Sequence, residues 1–195
     1  MIIAFDFDDT LVDTFTRMLE FFNERYCEKF QREQFTSWRF NDIWKITRKQ
    51  WLERWCLFDQ SESSRNLVPM VGVHDRLVIL AKHHQLHIVT SRPIEMAAQT
   101  KEIINRLFPG VFLDIHFCSR GEGAYHFRSK SQVCHVLGAT ILFEDRPDHA
   151  AECAEAGIKI GLIQQPWNRQ EKFESPLVMR VASWQDEVVE IIFET

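Results

Sequence analysis

The sequence predicts an α/β fold, a doubly wound parallel sheet of about five strands with a small helical insertion after the first strand. Three observations predict it. Short apolar runs rich in Ile, Val, Leu and Phe recur at residues 2–5, 86–89, 111–117, 140–143 and 158–163. Amphipathic stretches of helical length separate the later runs, which implies parallel strands joined by right-handed crossover helices on both faces. The gap between the first two runs is far longer than a crossover needs, so it holds an insertion.

The first run is apolar and passes straight into Asp6, Asp8 and Asp9, so it reads as a strand rather than a signal peptide. Residues 14–71 are helical in pattern and heavy in aromatics, Phe15, Trp38, Phe40 and Trp44 among them. A small helical unit must bury something, and Trp and Phe bury most per residue. Residues 66–72, with Pro69 and Gly72, read as the return linker, and Gly72 suits a hinge because glycine tolerates unusual backbone angles. The expected division is a core of residues 1–13 and 72–195 and a helical unit of residues 14–71.

A chain of 195 residues accommodates one such core plus its insertion. The net charge of −5 gives no general reason to bind a nucleic acid polymer or an anionic membrane, and no apolar stretch approaches the ~20 residues of a membrane span. A small-molecule substrate fits better. Five widely spaced cysteines without a CxxC pair argue against a disulfide framework or a zinc site, and for a reduced cytoplasmic setting. His83, His84 and His87 lie where a helix gives way to a strand and read as a surface turn.

In a doubly wound sheet ligands bind beyond the carboxyl ends of the strands, so the residues after each apolar run carry the chemistry. The first run ends in Asp6-Phe7-Asp8-Asp9-Thr10. Carboxylates that close repel, and a cation or proton must hold them together; Mg²⁺, a hard oxygen-seeking ion, is the natural candidate. The second run ends in Val89-Thr90-Ser91-Arg92-Pro93, where Thr90 or Ser91 either donates to a phosphate oxygen at a helix start or merely caps that helix. Lys130 precedes an amphipathic run through Val133, Val136 and Leu137; it either reaches over the site to neutralise phosphate or faces solvent. The fourth run ends in Glu144-Asp145-Arg146-Pro147, a second acidic pair that would complete a Mg²⁺ site if it met the first.

With these motifs following one another at four places, the chain resembles, over nearly its whole length, the haloacid dehalogenase (HAD) superfamily of aspartate-nucleophile phosphatases, which share a Rossmann-like core. Within it the chain looks most like the 5′(3′)-deoxyribonucleotidases, through Thr90-Ser91, Asp145-Arg146-Pro147 and Gln165-Pro166-Trp167-Asn168-Arg169. It differs from them in Glu144, where they usually carry Asp, and in Arg92, which separates Ser91 from Pro93.

The resemblance implies that residues 14–71 form a C1-type cap and that Asp6 attacks phosphorus to form an aspartyl-phosphate. It implies that Asp8 is the general acid and base, and that Thr90, Ser91, Lys130 and the Asp9 backbone N–H bind phosphate. The Asp6 and Asp145 carboxylates and the Asp8 carbonyl would bind Mg²⁺, with Glu144 helping from behind. Phe15, Trp38, Phe40, Trp44, Arg92, Trp167 and Arg169 are candidates to line a substrate pocket for a nucleoside monophosphate. Another small phosphate ester, or a non-catalytic phosphate-binding or scaffold role, stays open on the sequence alone.

Overall fold

The computed structural model describes residues 1–118 and 129–186; the expected core's residues 119–128 and 187–195 lie outside the described part. The chain runs β1 (Ile2–Phe5), α1 (Thr14–Tyr26), a 3-10 turn (Arg32–Gln34), α2 (Phe40–Ile43), α3 (Arg48–Asp59), α4 (Glu62–Arg65) and α5 (Val73–Leu80). It continues with β2 (Gln85–Thr90), a second 3-10 turn (Ile94–Met96), α6 (Ala97–Leu107), β3 (Asp114–Phe117), α7 (Lys130–Leu137), β4 (Ala139–Glu144), α8 (Pro147–Glu155), β5 (Lys159–Ile163) and β6 (Val178–Val181).

The sheet has six strands in the order β3-β2-β1-β4-β5-β6, all parallel, where the sequence predicts about five. The added strand, β6, is a short edge strand with three of its four residues only partly buried, so it lacks the dense apolar run that marks the others. β3 begins at Asp114 rather than at residue 111, because the chain turns after α6 through a Val111 N–H to Phe108 carbonyl bond and Phe112 packs edge-on to Phe5.

Alternation along the central strands sends unlike side chains to the two faces. Ile3 and Phe5 of β1 join Ile88, Phe143 and Trp184, in a core that continues into the aromatic cluster of the helical insert. Ala4 faces the other way with Val89, Leu142 and Ile160, against Cys134 of α7 and Cys153 of α8. The small Ala4 leaves room for those two helices to sit close to the sheet. Burial pushes the Cys118 thiol up to about 11 and the Cys134 thiol up to about 12, whereas Cys27 and Cys56 of the insert are exposed.

Local chemistry explains the helix starts. Thr47 and Gln50 form a capping box on α3, Ser129 and Gln132 another on α7, and Pro147 opens α8 where its missing N–H costs nothing. The entry and exit segments of the insert pair with each other: the Asp13 N–H donates to the Val68 carbonyl and the Met70 N–H to the Leu11 carbonyl. Gly72 follows with φ +80, and a Cβ there would lie 2.7 Å from Cγ of Gln185.

Candidate active site

The strand order reverses between β1 and β4, and the carboxyl ends of β1, β2 and β4 converge there. Asp6, the first residue beyond β1, has its N–H bonded to the Phe143 carbonyl of β4 at 2.8 Å. One oxygen each of Asp6, Glu144 and Asp145 lies within 4.8 Å of the others, and all three residues are buried. Lys130, at the first position of α7, reaches into this group with Nζ 2.7 Å from Asp6 Oδ1 and 2.5 Å from Glu144 Oε2. Its side chain is only 1% exposed, so it does not face solvent.

Charge within this cluster is unbalanced. Burial pushes the Asp6 carboxyl up to about 7, with Glu144 adding to the rise. Asp145 is also held well above the carboxylate range by burial, Glu144, Asp6 and Asp9. Burial would raise Glu144 too, but the Lys130 ammonium and the neighbouring His149 outweigh it and hold it well below. Burial works to neutralise Lys130, yet Asp6 and Glu144 keep it charged. Three carboxylates share one ammonium, and a divalent cation fits that deficit and that donor set. Glu144 has both oxygens engaged, Oε1 by the N–H groups of Asp145 and Arg146 and Oε2 by Lys130. Asp6 and Asp145 are therefore the side chains with oxygens left for the ion.

Asp8 sits two residues on and turns sideways. Arg92 grips it with Nε 2.9 Å from Oδ2 and Nη2 2.6 Å from Oδ1, and the Thr14 hydroxyl donates to Oδ1 at 2.5 Å. Arg92 is buried over the Phe7 ring, 4.4 Å from its centroid. Thr90 is fully buried, with its hydroxyl oxygen accepting the Arg92 N–H at 3.2 Å; Ser91 beside it is exposed. The Asp9 N–H is taken by the Val12 carbonyl at 2.8 Å. Its φ of 55 lies in the left-handed region that Asp tolerates better than most residues, and its carboxylate accepts the Phe15 N–H at the start of α1.

The pocket candidates separate. Phe15 and Trp44 lie inside the insert's aromatic core, each packed on Phe35, at 4.8 and 4.5 Å between ring centroids. Trp38 is half-buried beneath the Arg146 guanidinium, 4.4 Å away, and Phe40 is half-buried against Trp167. Arg169 is exposed. Trp167 is buried and donates its indole N–H to Asp145 Oδ2 at 2.8 Å.

Sequence reasoning missed three participants. Asn168 donates to the carbonyls of Asp145 and Ile163, tying the loop after β5 to the acidic cluster. Gln165 donates to the Asp9 carbonyl and accepts from Arg32 Nη2, both at 2.7 Å. The signal available was a Trp between Pro and Asn directly after a strand end, a large apolar ring where an exposed turn would carry none. Arg32 offers no such signal, since its partner in that loop, Gln165, lies 133 residues away. Asp59, the last residue of α3, has its carboxyl pushed up to about 7 by burial, and its Oδ1 has no partner.

The family described as 5′ nucleotidase, deoxy (pyrimidine), cytosolic type C matches residues 1–194. The chain belongs to this family. Solved structures share the fold at low identity. A haloacid dehalogenase-like family protein from Streptococcus pneumoniae is 15% identical with a TM-score of 0.67, over 100% of this chain and 98% of that one. A protein from Bacillus subtilis described as a HAD hydrolase, bound to magnesium, is 15% identical with a TM-score of 0.61, over 98% of each chain. Protein Tyrosine Kinase A of Mycobacterium tuberculosis is 16% identical with a TM-score of 0.70, over 98% of this chain and 97% of that one. A kinase's name on the same frame illustrates that such likeness speaks for fold and not for chemistry. A comparison with curated proteins finds no match. Among the described residues no helix is long and apolar enough to cross a membrane.

Proposed function

We propose that this nucleotidase-family chain is a magnesium-dependent phosphomonoesterase that hydrolyses nucleoside monophosphates, as a 5′(3′)-nucleotidase, through an aspartyl-phosphate on Asp6. The observation that carries the reading is the Asp6–Lys130–Glu144 arrangement beside Asp145. It presents one carboxylate oxygen at a strand end with a fixed ammonium alongside, among more negative charge than the protein itself neutralises. Mg²⁺, held by the Asp6 and Asp145 carboxylates and the Asp8 carbonyl, would supply the positive charge that lets a phosphate dianion approach.

Asp6 attacks phosphorus and the ester oxygen leaves. Asp8 protonates that oxygen, then takes a proton from the water that releases phosphate from Asp6. Lys130, Thr90 and Ser91 steady the phosphoryl oxygens, so catalysis is mainly placement and charge. The insert, residues 14–71, acts as the cap. Trp38 and Phe40, its half-buried aromatics, are suited to stack on a nucleobase, with the Arg146 guanidinium over the Trp38 ring. The family's cytosolic type supports a cytoplasmic setting.

The test is phosphate release from 5′- and 3′-nucleoside monophosphates, deoxy and ribo, beside sugar phosphates, with Mg²⁺ or EDTA, for wild type and Asp6→Asn. A Mg²⁺-dependent preference for one nucleotide group, lost in Asp6→Asn, is expected. Asp6-dependent turnover of sugar phosphates alone would keep the chemistry and discard the substrate. Activity surviving in Asp6→Asn would remove the nucleophile.

A further inference from the structure

Trp167 faces two ways. Its indole N–H donates to Asp145 Oδ2 at 2.8 Å, and among the described residues it is the one hydrogen-bond donor to that carboxylate. Lys130 serves Asp6 and Glu144 instead. A buried indole N–H needs an acceptor, and a charged acceptor makes the stronger bond, so the contact fixes both partners. The backbone of Asp145 is fixed from the same loop by Asn168, whose amide donates to the Asp145 carbonyl at 2.7 Å.

The ring of Trp167 is held by the helical insert. Phe15 of α1 lies 5.0 Å from it, Phe40 of α2 lies 5.2 Å from it in an edge-on contact, and the Arg32 guanidinium sits over it at 5.1 Å. Arg32 also bonds to Gln165 in the same loop. Three separate elements of the insert therefore grip one indole, and that indole sets the orientation of a carboxylate in the acidic cluster. A ring displaced by loss of this grip carries its N–H away from Oδ2.

We propose that Trp167 is a positioning residue through which the seating of the insert controls how tightly Asp145 holds a divalent cation. This rests on Asp145 being a ligand of Mg²⁺. Groups that orient a metal's ligands typically matter by ~10-fold or more in metal affinity. Long-range coupling through packed side chains is usually smaller, about 3-fold.

The experiment is calorimetric titration of the whole chain with Mg²⁺ alone, for wild type, Trp167→Phe and Phe40→Ala. Trp167→Phe keeps an aromatic ring and deletes the N–H; Phe40→Ala keeps the N–H and loosens the grip, without touching Asp145. Affinity about 10-fold weaker in Trp167→Phe and about 3-fold weaker in Phe40→Ala is expected. For Trp167→Phe, phosphatase assays should show higher Mg²⁺ needed for half-maximal rate, with kcat at saturating Mg²⁺ largely kept, a split that general loosening of the fold would not give. Wild-type affinity in Trp167→Phe overturns the proposal. So does wild-type affinity in Phe40→Ala beside weakened Trp167→Phe, because the insert would then have no part in it. If Trp167→Phe does not fold, Phe40→Ala decides alone. A wild-type protein that binds no Mg²⁺ overturns the ligand role of Asp145 as well, a result distinct from equal affinities across the three proteins.

Discussion

Arg92 holds both oxygens of the Asp8 carboxylate, with Nε and Nη2 at 2.9 and 2.6 Å. The guanidinium is itself immobilised by burial and by the Phe7 ring beneath it. Such a fork fixes a carboxylate in two dimensions, which a lysine's single ammonium cannot. Thr14, at the start of the insert, completes the hold.

Arg92→Met should therefore lower kcat by about 10²-fold, the usual scale for a misplaced reacting group, while KM changes little. Arg92→Lys should recover only a small part of the loss. Steady-state kinetics on the best substrate would check this. A large rise in KM with kcat kept would instead make Arg92 a substrate ligand, as expected from its place in the sequence.

Among the described residues Lys130 is the sole ammonium at three buried carboxylates, so removing it strands two of them. Lys130→Met should cost about 3–5 kcal/mol of stability in EDTA, the range for breaking a buried pair from one side. Urea unfolding reads it as a lower midpoint with an unchanged slope. Part of the loss should return on adding Mg²⁺.

Stability without metal should depend on pH in an unusual direction. Asp6 rises from 3.8 to about 7, Asp59 likewise, and Asp9 to about 8. Each binds its proton more tightly folded than unfolded, so its contribution is fully present below pH 3.8 and disappears as pH climbs through the folded value. Between about pH 4.5 and 8 the EDTA-treated protein should lose stability as pH rises. Below that window the depressed Glu144 works the other way, losing its contribution as pH falls. Saturating Mg²⁺ should flatten the part of the slope due to Asp6 and leave that of Asp9 and Asp59. At ~100 times its Kd, Mg²⁺ should add about 2.7 kcal/mol, or roughly 5–10 °C in Tm. Thermal scans across pH, with and without Mg²⁺, test both statements.

Two of the insert's four tryptophans, Trp44 and Trp38, should respond differently to truncation. Trp44 is 5% exposed, 4.5 Å from Phe35 and stacked on Trp51, so Trp44→Ala should destabilise by ~3–5 kcal/mol. Trp38→Ala should barely move Tm and should raise KM for nucleotides. Equal loss of stability in both variants would place Trp38 in the core.

The dense features of this molecule were legible in the sequence. Strands β1, β2, β4 and β5 are apolar runs because both faces of a parallel sheet are covered, and the acidic pairs stand out because they interrupt those runs. β6 was not legible, since an edge strand of Val178, Met179, Arg180 and Val181 carries a weaker pattern. The run from Gln165 to Arg169 reads as polar, yet Gln165, Trp167 and Asn168 are buried because their polar atoms find partners on Asp9, Asp145 and Ile163. Partner choice across the fold also decided Arg92: its residue type suggests an anion ligand, and only the folded chain puts Asp8 within reach. The Asp9 N–H, expected to bind phosphate, instead closes the turn onto Val12.

The distribution of the five cysteines has a practical consequence. Alkylating and maleimide reagents attack thiolate, and burial pushes the Cys118, Cys134 and Cys153 thiols above their ordinary range while shielding them from solvent. Cys27 and Cys56, exposed on the insert, are thus the natural attachment points for a dye pair or a spin label. The unmodified chain already carries, on its helical insert, the handles needed to watch that insert by fluorescence or magnetic resonance.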